Sequence, residues 1–160
     1  MTDIRIRPFR PEDQDAVRSL ILAGLGDHFE VLDPTLNPDL EDIWESYVAR
    51  GGCFLVAVTG EKLVGTGALI RESASSGRIV RMSVASDQRQ RGIGRLLVQE
   101  LIATGQRAGY TKIVVETNDD WYGAIRLYKG CGFLQYDHRD GEVHMQLQIG
   151  DIAEDFQDTP

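Results

Sequence analysis

The chain has 160 residues, of which 42% are hydrophobic and 26% charged, and its formal net charge is -8. This length suits one compact domain with its own core, and these proportions are ordinary for a soluble globular protein. The acidic balance argues against nucleic acid as the main partner. It favours a cationic ligand, although acidity that serves only solubility explains the composition equally well.

Neither export nor membrane insertion is indicated. No apolar run approaches the length of a membrane span, and the start of the chain, Met1-Thr2-Asp3, lacks the layout of a signal peptide. In such a chain Cys53 and Cys131 favour neither a disulfide nor a two-cysteine metal site. We therefore expect a cytoplasmic protein with no membrane partner and no metal.

Eleven segments have the periodicity of regular structure, in the order β-α-α-β-β-β-α-β-α-β-β. The predicted strands are 4–7, 53–59, 63–71, 78–84, 112–116, 133–136 and 143–149. The predicted helices are 11–26, 39–49, 121–131 and a segment that follows Gly94 and runs to about residue 107. The polar stretch 73–77 is predicted to be a turn. Hairpin turns are predicted at "TGEK" and at Asp140-Gly141, and Gly109 is predicted to cap a helix. One domain is expected over 1–150, followed by an acidic tail at 151–160.

The segment 79–95 is the most informative part of the chain. A buried strand leads through a polar turn into a loop, 89–94, that contains Gly92 and Gly94, and a helix follows. Such a loop presents bare backbone N–H groups at a helix N-terminus, which is an arrangement that binds pyrophosphate.

Two common phosphate loops are excluded. A dinucleotide fingerprint requires a third glycine, where this chain has Leu97, and a Walker loop requires Gly-Lys-Ser/Thr, which is absent. The arginines Arg89, Arg91 and Arg95 are candidates for neutralising phosphates, although an arginine-rich loop is more often a solvated surface.

The pattern R-x-x-G-x-G between a strand and an amphipathic helix resembles the signature Q/R-x-x-G-x-G/A of the GNAT-type N-acetyltransferases, matched by Arg89, Gly92 and Gly94. A second stretch, "AIRLYKGCGF" at 124–133, resembles the family's tyrosine-bearing helix and the Gly-Phe that starts the next strand. "ETNDDW" at 116–121 is similar to one branch of the family, and the element order matches over 3–149.

The resemblance implies the acyl-CoA N-acyltransferase fold, of the α/β (α+β) class. This fold is a single mixed, mostly antiparallel sheet of about seven strands, splayed between the fourth and fifth and flanked by about four helices. It also implies direct transfer of an acetyl group from acetyl-CoA to a neutral primary amine, with the CoA thiolate as leaving group.

The resemblance further implies where the cofactor binds. The pantetheine arm lies in the splay and bonds to backbone groups as an added strand would, and the loop amides hold the pyrophosphate. The implied cofactor-binding residues are Met82, Ser83, Val84, Arg89, Gln90, Arg91, Gly92, Ile93, Gly94, Arg95 and Asn118. Relatives commonly carry an asparagine at the position of Trp121, and Asn118 could take over its contact with the arm, although turn chemistry explains Asn118 as well. Trp121 could line the acetyl channel, but a packed core indole is favoured.

Tyr128 is implied to protonate the leaving thiolate. A phenol, with an ordinary pKa of about 10, suits a thiol leaving group because both protonate above neutrality. The alternative is that a tyrosine on a helix facing the sheet is only part of the core.

The amine's base is missing from its usual place. Relatives often carry a glutamate on the fourth strand, where this chain has Arg78, which cannot accept a proton. Glu116 is a substitute that could hold a water, or it could simply bond neighbouring backbone. His28 is a second substitute, or an exposed loop residue, and His138 and His144 are expected at the surface. A weakly basic amine needs no base.

Several alternatives stay open. The acceptor is expected to be a cationic small molecule, and a protein lysine or N-terminus is the alternative. A non-catalytic acyl-CoA sensor and a longer acyl donor are two further hypotheses. Phe29, Trp44 and Tyr47 could line the acceptor pocket or only pack in the core. Relatives often dimerise, which allows a homodimer.

Overall fold

A computed structural model of the chain describes residues 3–26 and 36–150. The seven strands are β1 (Ile4–Pro8), β2 (Cys53–Thr59), β3 (Lys62–Arg71), β4 (Ser76–Val84), β5 (Lys112–Asn118), β6 (Leu134–Arg139) and β7 (Glu142–Gln148). The three α-helices of the described ranges are α1 (Gln14–Gly26), α2 (Ile93–Arg107) and α3 (Tyr122–Gly130). Short 3-10 turns cover Pro11–Asp13, Pro38–Glu41 and Ser86–Gln88, and a π-helical turn covers Trp44–Val48.

The strands form one sheet in the order β1-β2-β3-β4-β5-β7-β6. β4 and β5 are parallel, whereas β1 with β2, β5 with β7, and β6 with β7 are antiparallel. The predicted fold class, a mixed and mostly antiparallel seven-stranded sheet flanked by helices, is therefore confirmed. Residues group into two compact units, 1–68 with 81–97 and 69–80 with 98–160.

The first unit has a core of aliphatic and aromatic side chains. Val17 and Ile21 of α1 are buried, as are Phe54 and Val56 of β2. The predicted hairpin between β2 and β3 is present, and Gly60 in its turn has a φ of +61°. Glycine adopts this left-handed conformation without steric cost, which explains why the turn occurs there.

The prediction of a continuous α-helix at 39–49 is wrong. Asp42, with φ -149° and ψ 91°, is extended and separates the 3-10 turn from the π-helical turn. The side chain of Gln14 stabilises this break: it donates to the carbonyl of Leu40 (2.7 Å) and accepts from the N–H of Ile43 (3.0 Å). Apolar side chains of both the 3-10 turn and the π-helical turn are buried. The helical spacing of apolar residues in the sequence therefore reflects burial in two short turns and not an α-helix.

In the second unit β7 lies between β5 and β6. Asp140 (φ +54°) and Gly141 (φ +77°) form the predicted turn between β6 and β7, since two left-handed residues suit a two-residue hairpin loop. Tyr136 lies at an irregularity of the β6–β7 pairing, between Gln135 and Asp137. The strand predicted at 112–116 extends to Asn118.

The turn predicted at 73–77 is shorter than expected, because Ser76 and Gly77 already belong to β4 and are buried. A Cβ on Gly77 would lie 2.9 Å from Leu69 Cδ1 and from the ring of Tyr110. Close packing, and not a turn, therefore explains this glycine.

No helix within the described ranges is long and apolar enough to cross a membrane.

Candidate active site

The C-terminal half of β4 has an unusual backbone. Arg81 has a φ of +57°, although it is not a glycine, and it directly precedes Met82, Ser83 and Val84. The hydroxyl of Thr66 on β3 donates to the carbonyl of Arg81 at 2.8 Å. Non-glycine residues in this region are held there only by their surroundings and cluster at functional sites. This left-handed residue lies within β4, just before the three residues expected to bind the pantetheine arm.

Arg81 also forms a side-chain network with the chain that precedes β2. Its guanidinium donates to Asp39 from Nε (2.9 Å) and Nη2 (2.6 Å), and Nη2 donates to Asn37 at 3.1 Å. The hydroxyl of Tyr47 donates to Asp39 at 2.5 Å. Tyr47 is buried and packs edge-on against Phe54, as the core hypothesis predicted, whereas Trp44 is exposed.

These contacts shift two pKa values. Burial opposes the charged form of Asp39, but hydrogen bonds from Arg81 and Tyr47 outweigh it and lower the pKa of this carboxyl below its usual value. Burial and the hydrogen bond to Asp39 raise the pKa of Tyr47 to about 12. Asp39 is therefore anionic and Tyr47 neutral around pH 7.

The expected pyrophosphate loop contains two residues with left-handed backbone. Gln90 (φ +65°) and Gly92 (φ +82°) are both left-handed and flank Arg91. Alternation of this kind turns successive N–H groups toward one side, which forms an anion-binding nest. The N–H of Leu96 donates to the carbonyl of Gly92 at 3.0 Å, so α2 begins at Ile93.

Gly94 accordingly lies in the first turn of α2, and its prediction as a loop residue is wrong. The N–H groups of Ile93, Gly94 and Arg95 belong to those that an α-helix leaves without an intrahelical acceptor. Gly92 has open space around it, since a Cβ there would meet no protein atom within 4 Å. Its backbone conformation, and not packing within the protein, requires glycine.

The arginines of the loop are exposed at the surface. Arg89 Nε donates to the carbonyl of Val84 at 3.3 Å, which connects the loop to the end of β4. Arg91 Nη1 donates to Gln88 Oε1 at 2.6 Å. Arg95 is exposed on the first turn of α2. The loop, the helix start and the end of β4 therefore occur together in the first unit, as expected from the sequence.

In the second unit, β4 and β5 separate soon after they begin. They pair at Ser76–Lys112, Gly77–Ile113 and Arg78–Val114. β4 continues six residues beyond Arg78 and β5 four residues beyond Val114, outside this pairing. The pairing of β4 with β5 therefore ends at Arg78 and Val114, and we call this end of the pairing the fork.

A cluster of charged side chains lies at this fork. We call Glu72, Arg78, Glu116 and His144 the fork cluster. Arg78 donates to Glu72 from Nε and Nη2, both at 2.7 Å, and its Nη1 donates to Glu116. Hydrogen bonds from Arg78 lower the pKa of Glu72, and those to Glu72 and Glu116 raise the pKa of Arg78. Glu116 thus pairs with a guanidinium, which neither sequence hypothesis for it predicted.

His144 was expected at the surface, and this prediction is wrong, because His144 is only 5% exposed. It lies directly opposite Glu116 in the β5–β7 register, with its Nδ1 3.5 Å from Glu116 Oε1. His138 is exposed as expected, and its Nε2 lies 3.0 Å from Asp119 Oδ2. His28 and Phe29 lie outside the described residues.

Tyr128 is buried in α3, 4% exposed, with its ring edge-on to Phe133 at 5.7 Å between centroids. Burial raises the pKa of its phenol well above the usual value. Asn118 ends β5, and its carbonyl accepts from the N–H of Trp121 at 3.1 Å. Trp121 is the N-cap of α3 and only half-buried, so it is not the fully packed core indole that the sequence favoured.

The sequence signals for the fork cluster were weak. Val143 and Met145 are both apolar, and simple alternation therefore places His144 on a solvent face. β7 is an inner strand, however, and Val143, His144 and Met145 are all buried. Strands covered on both faces do not show the alternation that the prediction assumed.

The sequence model of the acetyltransferase (GNAT) family matches residues 19–133 of the chain. The protein belongs to this family, and the predicted resemblance is confirmed.

The protein is similar to N-acetyltransferase 8B of Rattus norvegicus, with 40% identity over 104 residues, which are 61% of this chain and 47% of that protein. The chain thus spans about half the length of the curated relatives it matches. The fold is similar to a GNAT-family acetyltransferase of Staphylococcus aureus Mu50, with a TM-score of 0.84, 23% identity, and coverage of 92% of this chain and 100% of that one. It is also similar to the PaiA N-acetyltransferase of Thermoplasma acidophilum, solved in complex with coenzyme A, with a TM-score of 0.81, 16% identity, and coverage of 92% and 99%.

Proposed function

We propose that the protein is an N-acetyltransferase that moves an acetyl group from acetyl-CoA directly to a primary amine. The observation that carries the proposal is the left-handed pair Gln90 and Gly92 at the start of α2, in a chain of the GNAT family. An anion nest joined to a helix N-terminus suits a pyrophosphate. The similar PaiA structure, which contains coenzyme A, supports CoA as the ligand.

On the donor side, the amides of residues 90–95 hold the pyrophosphate, and Arg89, Arg91 and Arg95 add positive charge. The backbone of Met82, Ser83 and Val84 binds the pantetheine arm as an added strand, and Asn118 contacts the same arm. The support for these roles is that the loop is exposed, that Gly92 faces open space, and that the left-handed residue Arg81 lies in β4 just before Met82.

In the reaction, the nitrogen of the neutral amine attacks the thioester carbonyl. A C–N bond forms, the C–S bond breaks, and the CoA thiolate leaves. Tyr128 donates its proton to the thiolate, and the proton that the attacking nitrogen loses as the amide forms restores the phenol. The phenol holds this proton at physiological pH, because burial raises the pKa of Tyr128. No metal takes part in this scheme.

On the acceptor side, we propose a cationic small molecule. Among the members of the fork cluster, two carboxylates face one guanidinium, so the cluster carries a net negative charge when His144 is neutral. An anionic site at the strand fork attracts an ammonium group. A lysine or N-terminus of a protein is the alternative acceptor. We also propose that the protein is cytoplasmic, that it can form a homodimer, and that one domain at 1–150 is followed by an acidic tail at 151–160.

The reaction is tested by release of free thiol from acetyl-CoA in the presence of a panel of amines, with acidic peptides and lysine peptides as separate arms. We expect thiol release with at least one cationic amine and none without an acceptor. Calorimetry with CoA distinguishes the sensor alternative, which would bind CoA and release no thiol with any amine. A longer acyl donor would be indicated by faster turnover of butyryl-CoA than of acetyl-CoA.

A further inference from the structure

His144 is buried without a hydrogen-bond partner. Both ring nitrogens are inaccessible to solvent, and neither forms a hydrogen bond within the described part of the chain. A buried polar group left in this state destabilises a protein by roughly 1–3 kcal/mol, and most such groups in folded proteins are satisfied. An unsatisfied imidazole beside a carboxylate therefore indicates a group that bonds to something supplied from outside the chain.

The geometry assigns a role to each nitrogen. Nδ1 lies 3.5 Å from Glu116 Oε1, within ion-pair range but outside hydrogen-bond geometry. Arg78, itself held by Glu72, prevents Glu116 from turning away. A carboxylate on Nδ1 favours the tautomer with the proton on that nitrogen, which leaves the Nε2 lone pair free to accept a proton.

We infer that His144 is the general base that deprotonates the acceptor ammonium, and that Glu116 is its positioning residue. This inference rests on the proposed acetyl transfer. The ammonium loses one proton to His144 Nε2 through one water, and local opening around His144 admits this water, since both ring nitrogens are shielded from solvent in the structure. The resulting neutral amine attacks the thioester, and the imidazolium formed is stabilised by Glu116. His144 later returns its proton to solvent.

The position of the pair suits this role better than Glu116 alone does. Glu116 lies two residues past Val114, where the pairing of β4 and β5 ends. Glu116 already accepts a hydrogen bond from Arg78, whereas Nε2 of His144 has no partner in the described part of the chain. His144 also lies outside the region 19–133 that the family model matches, so the family pattern does not reveal it.

The groups that face His144 from neighbouring strands are few. Glu116 on β5 is opposite it, and Arg78 on β4 reaches it only through Glu116. On β6, Asp137 is its register partner but is paired with Arg139 at 2.7 Å, and the ring of Tyr136 lies edge-on at 6.1 Å. Glu116 is therefore the negative group that acts on the ring most directly.

The first test compares His144→Gln with the control His138→Gln, which changes an exposed histidine of the same hairpin. At pH 7 we expect kcat/KM for the amine to fall about 10²-fold in His144→Gln, within the usual range for general bases. The loss should shrink as the pH approaches the pKa of the amine itself, because a neutral amine needs no base. His138→Gln should keep the wild-type rate and pH profile.

A second readout does not depend on turnover. The chain has three histidines, so ¹⁵N shifts of each ring can be assigned. We expect the neutral ring of His144 to be the Nδ1–H tautomer, and Glu116→Gln to change its ring shifts while leaving those of His138 unchanged. Wild-type protein that acetylates no amine overturns the proposed function and this role together. Active protein whose pH profile is unchanged by His144→Gln, or His144 in the Nε2–H tautomer, overturns the role of His144 alone.

Discussion

Arg81 on β4 and Asp39 are joined by two charge-assisted hydrogen bonds, 2.9 and 2.6 Å long. Their side chains are only 19% and 27% exposed, so solvent screens the pair weakly. Because Arg81 is also the left-handed residue of β4, this pair holds the strained part of the strand to the chain that precedes β2. The stability of the expected cofactor strand therefore depends on a contact far away in the sequence.

The first prediction concerns this pair. Asp39→Asn leaves the guanidinium of Arg81 half-buried without its counterion, and we expect the free energy of unfolding to fall by about 1–2 kcal/mol, less than for a fully buried pair. Urea denaturation at pH 7 measures this change. The control is Glu41→Gln, which breaks the more exposed pair of Glu41 with Arg18 (3.2 Å) and should change stability by less than about 0.5 kcal/mol. Equal losses in both variants would contradict the prediction.

The second prediction concerns pH. The hydrogen bond from Arg7 lowers the pKa of Asp13, and contacts with Arg81 and Tyr47 lower that of Asp39. A carboxyl whose pKa is lower in the folded state contributes stability above its unfolded pKa, about 3.9 for Asp, and loses it as the pH falls through the folded value. We expect constant stability from pH 7 to about pH 5 and a decline below about pH 4.

Urea denaturation between pH 7 and pH 2.5 measures this decline. Asp13→Asn and Asp39→Asn should each reduce the slope of stability against pH, because each removes one group that takes up a proton on unfolding. A variant that is less stable at pH 7 but has the wild-type slope would show that its carboxyl does not cause the dependence of stability on pH.

The third prediction concerns Gly92. Alanine at φ +82° is strained by about 1 kcal/mol, and its methyl group would enter the open space assigned to the pyrophosphate. We expect Gly92→Ala to lower stability modestly and to weaken CoA binding at least tenfold, as measured by calorimetry. Gly109→Ala is the matched control, since Gly109 has φ +85° and equally open surroundings. It should lose the same stability and keep its CoA affinity; equal CoA binding in both variants would refute the assignment of the loop.

The fourth prediction concerns Tyr128. Tyr128→Phe keeps the ring contact with Phe133 and removes only the hydroxyl, so we expect a stable protein with kcat reduced about 10²-fold and little change in KM. Tyr110→Phe is the control, because Tyr110 is also buried (7% exposed) and has no proposed chemistry. Thiol release from acetyl-CoA measures both. Unchanged turnover in Tyr128→Phe would show that Tyr128 is only part of the core.

Most secondary structure could be predicted because its signals are local. The turns at Gly60 and at Asp140-Gly141 occur where the residues tolerate left-handed backbone, and the strands between them follow from apolar patterning. The helix predicted at 39–49 failed because Leu40, Ile43 and Tyr47 have helical spacing, yet Gln14 supplies hydrogen bonds that stabilise a broken backbone. A contact across 26 residues or more is not visible in a local window.

The candidate site also has one part that the sequence predicted and one part that it did not. The expected pyrophosphate loop is one contiguous segment whose glycines and neighbours set their own backbone angles, so its residues indicated a phosphate ligand and, together with the stretch 124–133, the GNAT family. The fork cluster, in contrast, combines side chains from β4, β5 and β7 and from Glu72, which precedes β4. Whether such residues meet depends on strand register, since a shift by one residue would turn each side chain to the other face. Only the assembled sheet could therefore show that Arg78 engages Glu116 and that His144 is buried behind it.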